Sequence, residues 1–218
     1  MKTINISQIQ FEAKSTPFKN AEQLKKLFEK TKKFKPNLIC TPECSNIITN
    51  DINYLRKNTT FENDCPIINM AKLYAKENNV NINIGSLLLK IKNQKKLVNR
   101  SYFINTKGKI AKTYDKIHMF DVNINKKETH RESDTFQAGS NIVLLNIDKI
   151  KIGFTICYDL RFPNLYRKLS KQGSIFLAVP SAFTETTGKR HWHSLLKARA
   201  IENFCYIFAP AQAGKHYN

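Results

Sequence analysis

Apolar positions along the chain follow two alternating rhythms. In residues 20–34, Ala21, Leu24, Leu27, Phe28, Thr31 and Phe34 recur every three to four positions, and this spacing predicts a helix. A second helix is predicted over 65–78, with Pro66 in its first turn. Short apolar runs surround them: a strand over 3–9, a buried strand in "NLICTPE" that Pro42 cuts off, and a longer one in "VNINIGSLLLKI". Two further strands, 97–105 and 109–114, are joined by the turn "TKG". The first part reads β-α-β-α-β followed by a hairpin.

From Lys151 the order repeats. "KIGFTIC" reads as a strand, 163–171 as a helix stopped by Gly173, "SIFLAVP" as a strand, 190–203 as a helix and "CYIFAPA" as a strand. "LICTPECSN" and "FLAVPSAF" occupy equivalent places, each a strand that runs into proline and then into small or polar residues. The pattern predicts an internal duplication, two α/β halves whose sheets pack face to face under outer helices. The second half ends after its third strand, without a counterpart of the hairpin. One domain over 1–218 with its C-terminal part missing is therefore expected.

A chain of 218 residues, 41% of them hydrophobic, fills one sizeable core. It contains no apolar run of membrane-spanning length, and its N-terminus lacks the apolar block of a signal peptide, so a cytoplasmic protein without membrane partners is expected. The formal charge of +19 raises the question of nucleic acid. The basic residues are spread over the whole chain, however. The densest runs, "KTKKFK" at 30–35 and "KNQKK" at 92–96, fit a helix end and a solvated hairpin tip. No specific nucleic-acid partner is expected.

Five cysteines at irregular spacing do not form a disulfide framework, and Cys40 and Cys44 lack the second pair that a zinc site needs. His191 and His193, two apart on a helix, face different ways. The Ser194–Lys197 spacing lacks the partner motifs of serine–lysine enzymes. Neither a metal nor an organic cofactor is expected.

Ligands of open α/β folds gather at the carboxyl ends of strands. Three ionisable residues fall at such ends: Glu43 after "LICTP", Lys116 after "GKIAKTYD" and Cys157 after "KIGFTI". They offer a base, a cation and a nucleophile. The N–H of Tyr158 stands where a second oxyanion donor is needed. Taken singly, each residue has a plainer reading: Cys157 as a small buried hydrophobe, Glu43 as a helix cap, Lys116 as a surface charge, and Arg161 as the partner of Asp159 in a salt bridge that fastens the turn. Arg161 otherwise suits a substrate carboxylate. Phe183, Thr184 and Thr187 follow a strand end, either lining a pocket beside the thiol or forming a solvated loop.

Together, "TPECSN", "YDKIHMFDV" and "CYDLRFP", in that order, resemble the carbon–nitrogen hydrolase (nitrilase) superfamily over essentially the whole chain. "RESDTFQAGS", "PSAFTETTGKRHWHSLLKARAIENFCY" and "APAQAGKH" narrow the resemblance to the Nit subgroup and, within it, to the deaminated glutathione amidases. The resemblance implies a four-layer αββα sandwich. It also implies a triad of Glu43 as base, Lys116 as oxyanion support and Cys157 as nucleophile, with Glu132 in "RES" orienting Lys116. The implied reaction converts a terminal carboxamide to a carboxylate and ammonia through a cysteine thioester. The partner is a small-molecule amide, the alternative activity is that of an ω-amidase acting on α-ketoglutaramate, and the full-length form is a homodimer.

Overall fold

In the computed structural model of the chain, residues 3–125, 128–147 and 150–216 are described. Strand β1 (Ile6–Gln8) is followed by α1 (Pro17–Thr31), β2 (Leu38–Cys40), α2 (Ile52–Asn58), α3 (Pro66–Glu77) and β3 (Asn81–Lys90). A hairpin of β4 (Leu97–Ile104) and β5 (Ile110–Asp115) comes next, then the small pair β6 (Asp121–Asn125) and β7 (Glu128–Arg131). The second half comprises β8 (Leu144–Ile147), β9 (Ile150–Phe154), α4 (Pro163–Lys171), β10 (Phe176–Ala178), α5 (Glu185–Asn203) and β11 (Tyr206–Phe208).

The duplication expected from the pattern is present. The first sheet has the order β1-β2-β3-β4-β5, with β1, β2 and β3 parallel and the β4–β5 hairpin antiparallel. The second has the order β11-β10-β9-β8, with β9, β10 and β11 parallel. Its antiparallel strand, β8, precedes β9 and pairs with it.

Alternation along each strand sorts the side chains into layers. Leu38 and Cys40 of β2, Phe103 of β4 and Tyr114 of β5 meet Ile152 and Phe154 of β9, Ala178 of β10 and Phe208 of β11 between the sheets. Phe103 and Phe154 pack edge to face there, with ring centroids 6.3 Å apart. Residues on the opposite faces, Ile39, Ile82, Ile84 and Tyr102, pack under α1 and α3, while Leu177 packs under Leu165, Tyr166 and Leu169 of α4. The result is an αββα sandwich with three apolar interfaces. Each fully buried large side chain contributes about 1.5–3 kcal/mol to it.

Several boundaries differ from the sequence expectation. Helix α1 covers Pro17–Thr31 rather than 20–34, because Pro17 takes the first-turn position and a short 3₁₀ turn, Lys32–Phe34, replaces the last helical turn. Helix α5 begins at Glu185 rather than 190, with Thr184 as its N-cap. Thr184 and Thr187 therefore sit at a helix start and not in a solvated loop, and Thr187 is buried. Helix α2 and strands β6, β7 and β8 had no sequence counterpart. Asp51 starts α2 by accepting from the amides of Asn53 (2.9 Å) and Tyr54 (3.0 Å).

Gly85 is required where the two halves touch. A Cβ at this position would lie 2.0 Å from the carbonyl oxygen of Thr41 and 2.4 Å from Cβ of Pro180. The turn after β2 and the turn after β10 thus close on one another across β3, and this brings the carboxyl ends of both sheets to one place.

Candidate active site

Cys157 lies three residues beyond the end of β9, not at its tip. It opens a 3₁₀ turn, Cys157–Arg161, with φ at 47° in the left-handed region. Such a conformation in a residue other than glycine is strained and marks a constrained position. The Cys157 amide donates to Pro180 O (2.9 Å) and the Asp159 amide to Ile156 O (3.0 Å). The Tyr158 amide between them has no acceptor among the described residues.

Glu43 comes from the turn after β2. Its side chain is buried and both carboxylate oxygens are hydrogen-bonded. Oε1 accepts from Asn99 Nδ2 (2.9 Å) and Lys116 Nζ (3.1 Å), and Oε2 accepts from the Ala182 amide (2.8 Å). Its own carbonyl accepts from Gln212 Nε2 (2.8 Å), which fixes the turn from the other half.

Lys116 follows β5 directly. Its backbone is held on both sides, with N–H donating to Asn99 O (3.0 Å) and C=O accepting from the Gly139 amide (2.8 Å). The ammonium is 3.1 Å from Glu43 Oε1 and is clasped by both oxygens of Glu132, at 2.9 and 2.8 Å. Burial alone would push Lys116 down. The charges of Glu132 and Glu43 outweigh it and hold the ammonium well above the ordinary lysine range. Glu132, in the 3₁₀ turn after β7, is itself oriented by the Phe120 amide, which donates to Oε2 (2.6 Å).

The Cys157 thiol is pushed well above its ordinary range, first by burial and then by the charge of Glu43, which also accepts its hydrogen bond; Lys116 opposes this shift. At neutral pH it rests as a thiol beside a carboxylate and an ammonium. One sulfur, one ammonium and two carboxylates from four distant segments therefore meet at one end of the sandwich.

They line a cavity of about 340 Å³. Tyr158, Arg161, Phe183, Thr184 and Thr187 line it as well. Arg161 does not pair with Asp159. Its Nη2 stands 3.1 Å from His191 Nδ1, and its guanidinium lies over the rings of Tyr158 and Phe183 at 5.8 and 5.9 Å. The salt bridge expected as the plain alternative fails because the Asp159 carboxylate accepts from Tyr114, Ile156 and His118 instead. Arg199 and Glu202 form the structural ion pair their spacing suggests (2.9 Å).

Asn99 was missed as a site residue. Its amide bridges the two carboxylates, at 2.9 Å from Glu43 and 3.5 Å from Glu132. The available signal was weak: β4, "LVNRSYFI", carries Asn99 beside Arg100 and Ser101 in a strand flanked by apolar residues, where a buried polar side chain needs a partner. Among the described residues, no group of three or more His, Cys, Asp or Glu is arranged to hold a metal ion, and no helix is long and apolar enough to cross a membrane.

Comparison with known proteins places this geometry in context. The family model described as carbon-nitrogen hydrolase matches residues 4–218. A curated relative from Yersinia enterocolitica, named deaminated glutathione amidase, is 40% identical over 183 residues, covering 82% of this chain and 63% of the relative. A protein of the same name from Dictyostelium discoideum is 38% identical over 205 residues, covering 91% of this chain and 70% of the relative. Among solved structures, the NitFhit protein of Caenorhabditis elegans superposes with a TM-score of 0.87 at 31% identity, covering 99% of this chain and 53% of that one. The chain spans just under two thirds of the Yersinia relative's length.

Proposed function

Since the chain belongs to the carbon–nitrogen hydrolase (nitrilase) superfamily, in its Nit subgroup, we propose that it is an amidase that hydrolyses a terminal carboxamide of a deaminated glutathione-like substrate to a carboxylate and ammonia. The observation that carries this reading is the convergence of Cys157, Glu43, Lys116 and Glu132 on one cavity. The names of the relatives from Yersinia and Dictyostelium support the substrate class.

The reaction runs in two halves. Cys157 Sγ attacks the amide carbon while its proton passes to Glu43. A raised thiol needs such a base during attack, because little thiolate exists at rest. The carbonyl oxygen becomes an oxyanion, held by Lys116 Nζ and the Tyr158 amide. Glu43 returns the proton to the nitrogen as the C–N bond breaks, and ammonia leaves a thioester on Cys157. Water then adds to the thioester with Glu43 taking its proton, the C–S bond breaks, and the sulfur recovers the proton as the carboxylic acid departs and ionises. Glu132 keeps Lys116 aimed throughout. Arg161, beside the aromatic faces of Tyr158 and Phe183, meets a substrate carboxylate, and Thr184 and Thr187 flank the chain between carboxylate and amide.

Steady-state ammonia release from deaminated glutathione and from α-ketoglutaramate tests this assignment. A higher kcat/KM for deaminated glutathione is expected. A clear preference for α-ketoglutaramate would replace the substrate with that of an ω-amidase, and no release from either would overturn the amidase reading.

A further inference from the structure

Two residues beyond the thiol, the Asp159 carboxylate is fully buried and lies outside the cavity lining. It accepts four hydrogen bonds. Oδ2 takes the Tyr114 hydroxyl (2.6 Å) and the Ile156 amide (2.9 Å); Oδ1 takes the His118 amide (3.0 Å) and His118 Nδ1 (2.7 Å). Ile156 precedes Cys157. Tyr114 and His118 stand two residues before and two residues after Lys116, the first in β5 and the second at a bend beyond it, and both reach the same carboxylate. The His118 ring is also stacked on Phe162, which closes the thiol's turn, at 3.6 Å between centroids.

We propose that Asp159 is a positioning residue that fastens the lysine-bearing segment to the thiol-bearing turn and so sets the placement of Lys116 Nζ against Cys157 Sγ. The inference rests on the assignment of Cys157 as nucleophile. No backbone bond of β5 reaches the Cys157 turn, because β5 belongs to the first sheet and β9 to the second. The carboxylate supplies the missing link, and burial makes its bonds strong and directional. Tyr114 stays a donor in this link, since burial and the charge of Asp159 push its hydroxyl well above the ordinary tyrosine range.

An asparagine cannot replace it. Whichever way the amide turns, its NH₂ faces either the Ile156 amide or the His118 amide, and a backbone N–H cannot turn to accept. Asp159→Asn therefore loosens the join while leaving the cavity wall intact. Loss of geometry at a reacting centre on the scale of an ångström costs on the order of 10²-fold in rate. The expected result is a kcat lower by about 30- to 100-fold, with KM changed less than about threefold.

The experiment follows three quantities in the wild type, Asp159→Asn and Tyr114→Phe: kcat and KM on the amide, the rate of Cys157 alkylation by iodoacetamide with peptide mapping, and the thermal midpoint. Slower alkylation and lower kcat in the folded variants, in the order wild type, Tyr114→Phe, Asp159→Asn, support the proposal. Should Asp159→Asn fail to fold, Tyr114→Phe decides alone, with a several-fold loss in both rates expected. A lowered midpoint with wild-type kcat and alkylation would make Asp159 structural only and overturn the inference. Wild-type alkylation no faster at Cys157 than at Cys44, in the same cavity, would instead overturn the nucleophile assignment and the inference with it.

Discussion

Lys116→Met is expected to lower kcat by about 10³-fold or more and to destabilise the fold by about 3–5 kcal/mol. The two losses share one cause. Glu43 and Glu132 both point at Lys116 Nζ, and the side chain of Glu43 is 4% exposed. Methionine fills the stem but leaves one buried and one part-buried carboxylate without their shared cation, with the Cys157 thiol and the amides of Asn99, Ala182 and Phe120 as the donors that remain. For a chain of this size the thermal midpoint falls by roughly 10 °C. The pH dependence carries a signature. Lys116 has its folded pKa raised, so its contribution is fully present below the unfolded lysine value of about 10.4 and is lost as pH rises through the higher folded value. Urea unfolding should show the full wild-type advantage over Lys116→Met at pH 8 and a shrinking advantage well above pH 10. A variant as stable as the wild type at pH 8 would contradict this account of the ion cluster.

Glu43→Gln is expected to lower kcat by roughly 10³-fold with a much smaller stability change. The cluster holds two carboxylates and one ammonium, so removal of one carboxylate leaves Lys116 paired with Glu132 in a charge-balanced, part-buried pair. Against this, the new amide must present its NH₂ either to the Ala182 amide or to Lys116 and Asn99, all donors. A shift of the thermal midpoint within a few degrees is the expected net result. The thiol responds in the opposite sense to the activity. The charge of Glu43 raises it and Lys116 lowers it. Without Glu43, Cys157 should therefore alkylate at lower pH than in the wild type while hydrolysis is nearly lost. Parallel profiles of alkylation and kcat against pH check both halves. Alkylation displaced to higher pH, or kcat within tenfold of the wild type, would remove Glu43 from the role of base.

Much of the frame was legible in the sequence because its signals are local. Pro66 and Pro163 open α3 and α4 in the first turn, and the 163–171 span of α4 matches its expected bounds. The short buried strands β2 and β10 read clearly as apolar runs ended by proline. Glu43, Lys116 and Cys157 were legible for a topological reason: residues just past the ends of strands in two facing half-sheets must approach one another. What was missed depends on tertiary contact. β8 is a half-exposed edge strand, "LLNI", with little apolar contrast. The start of α5, "ETTGKRHWH", holds Gly188 and two threonines, so helical propensity is weak and the Thr184 cap settles the boundary. Arg161 and Asp159 are two apart and opposite in charge, which favours a local pair on paper. The donors of Tyr114, His118 and Ile156 claim Asp159 first; Ile156 is local, but Tyr114 and His118 lie 45 and 41 positions away, where no spacing rule reveals them.

Acyl transfer to Cys157 is the claim on which the proposed chemistry turns, and intact mass spectrometry of acid-quenched enzyme, taken within the first turnovers on a carboxamide substrate, reads it directly. The account predicts a transient gain equal to the substrate's mass less ammonia, mapped to the peptide carrying Cys157, decaying as carboxylate forms and absent from Cys157→Ala. Undiminished ammonia release by Cys157→Ala, with no adduct at any time in the wild type, would contradict it.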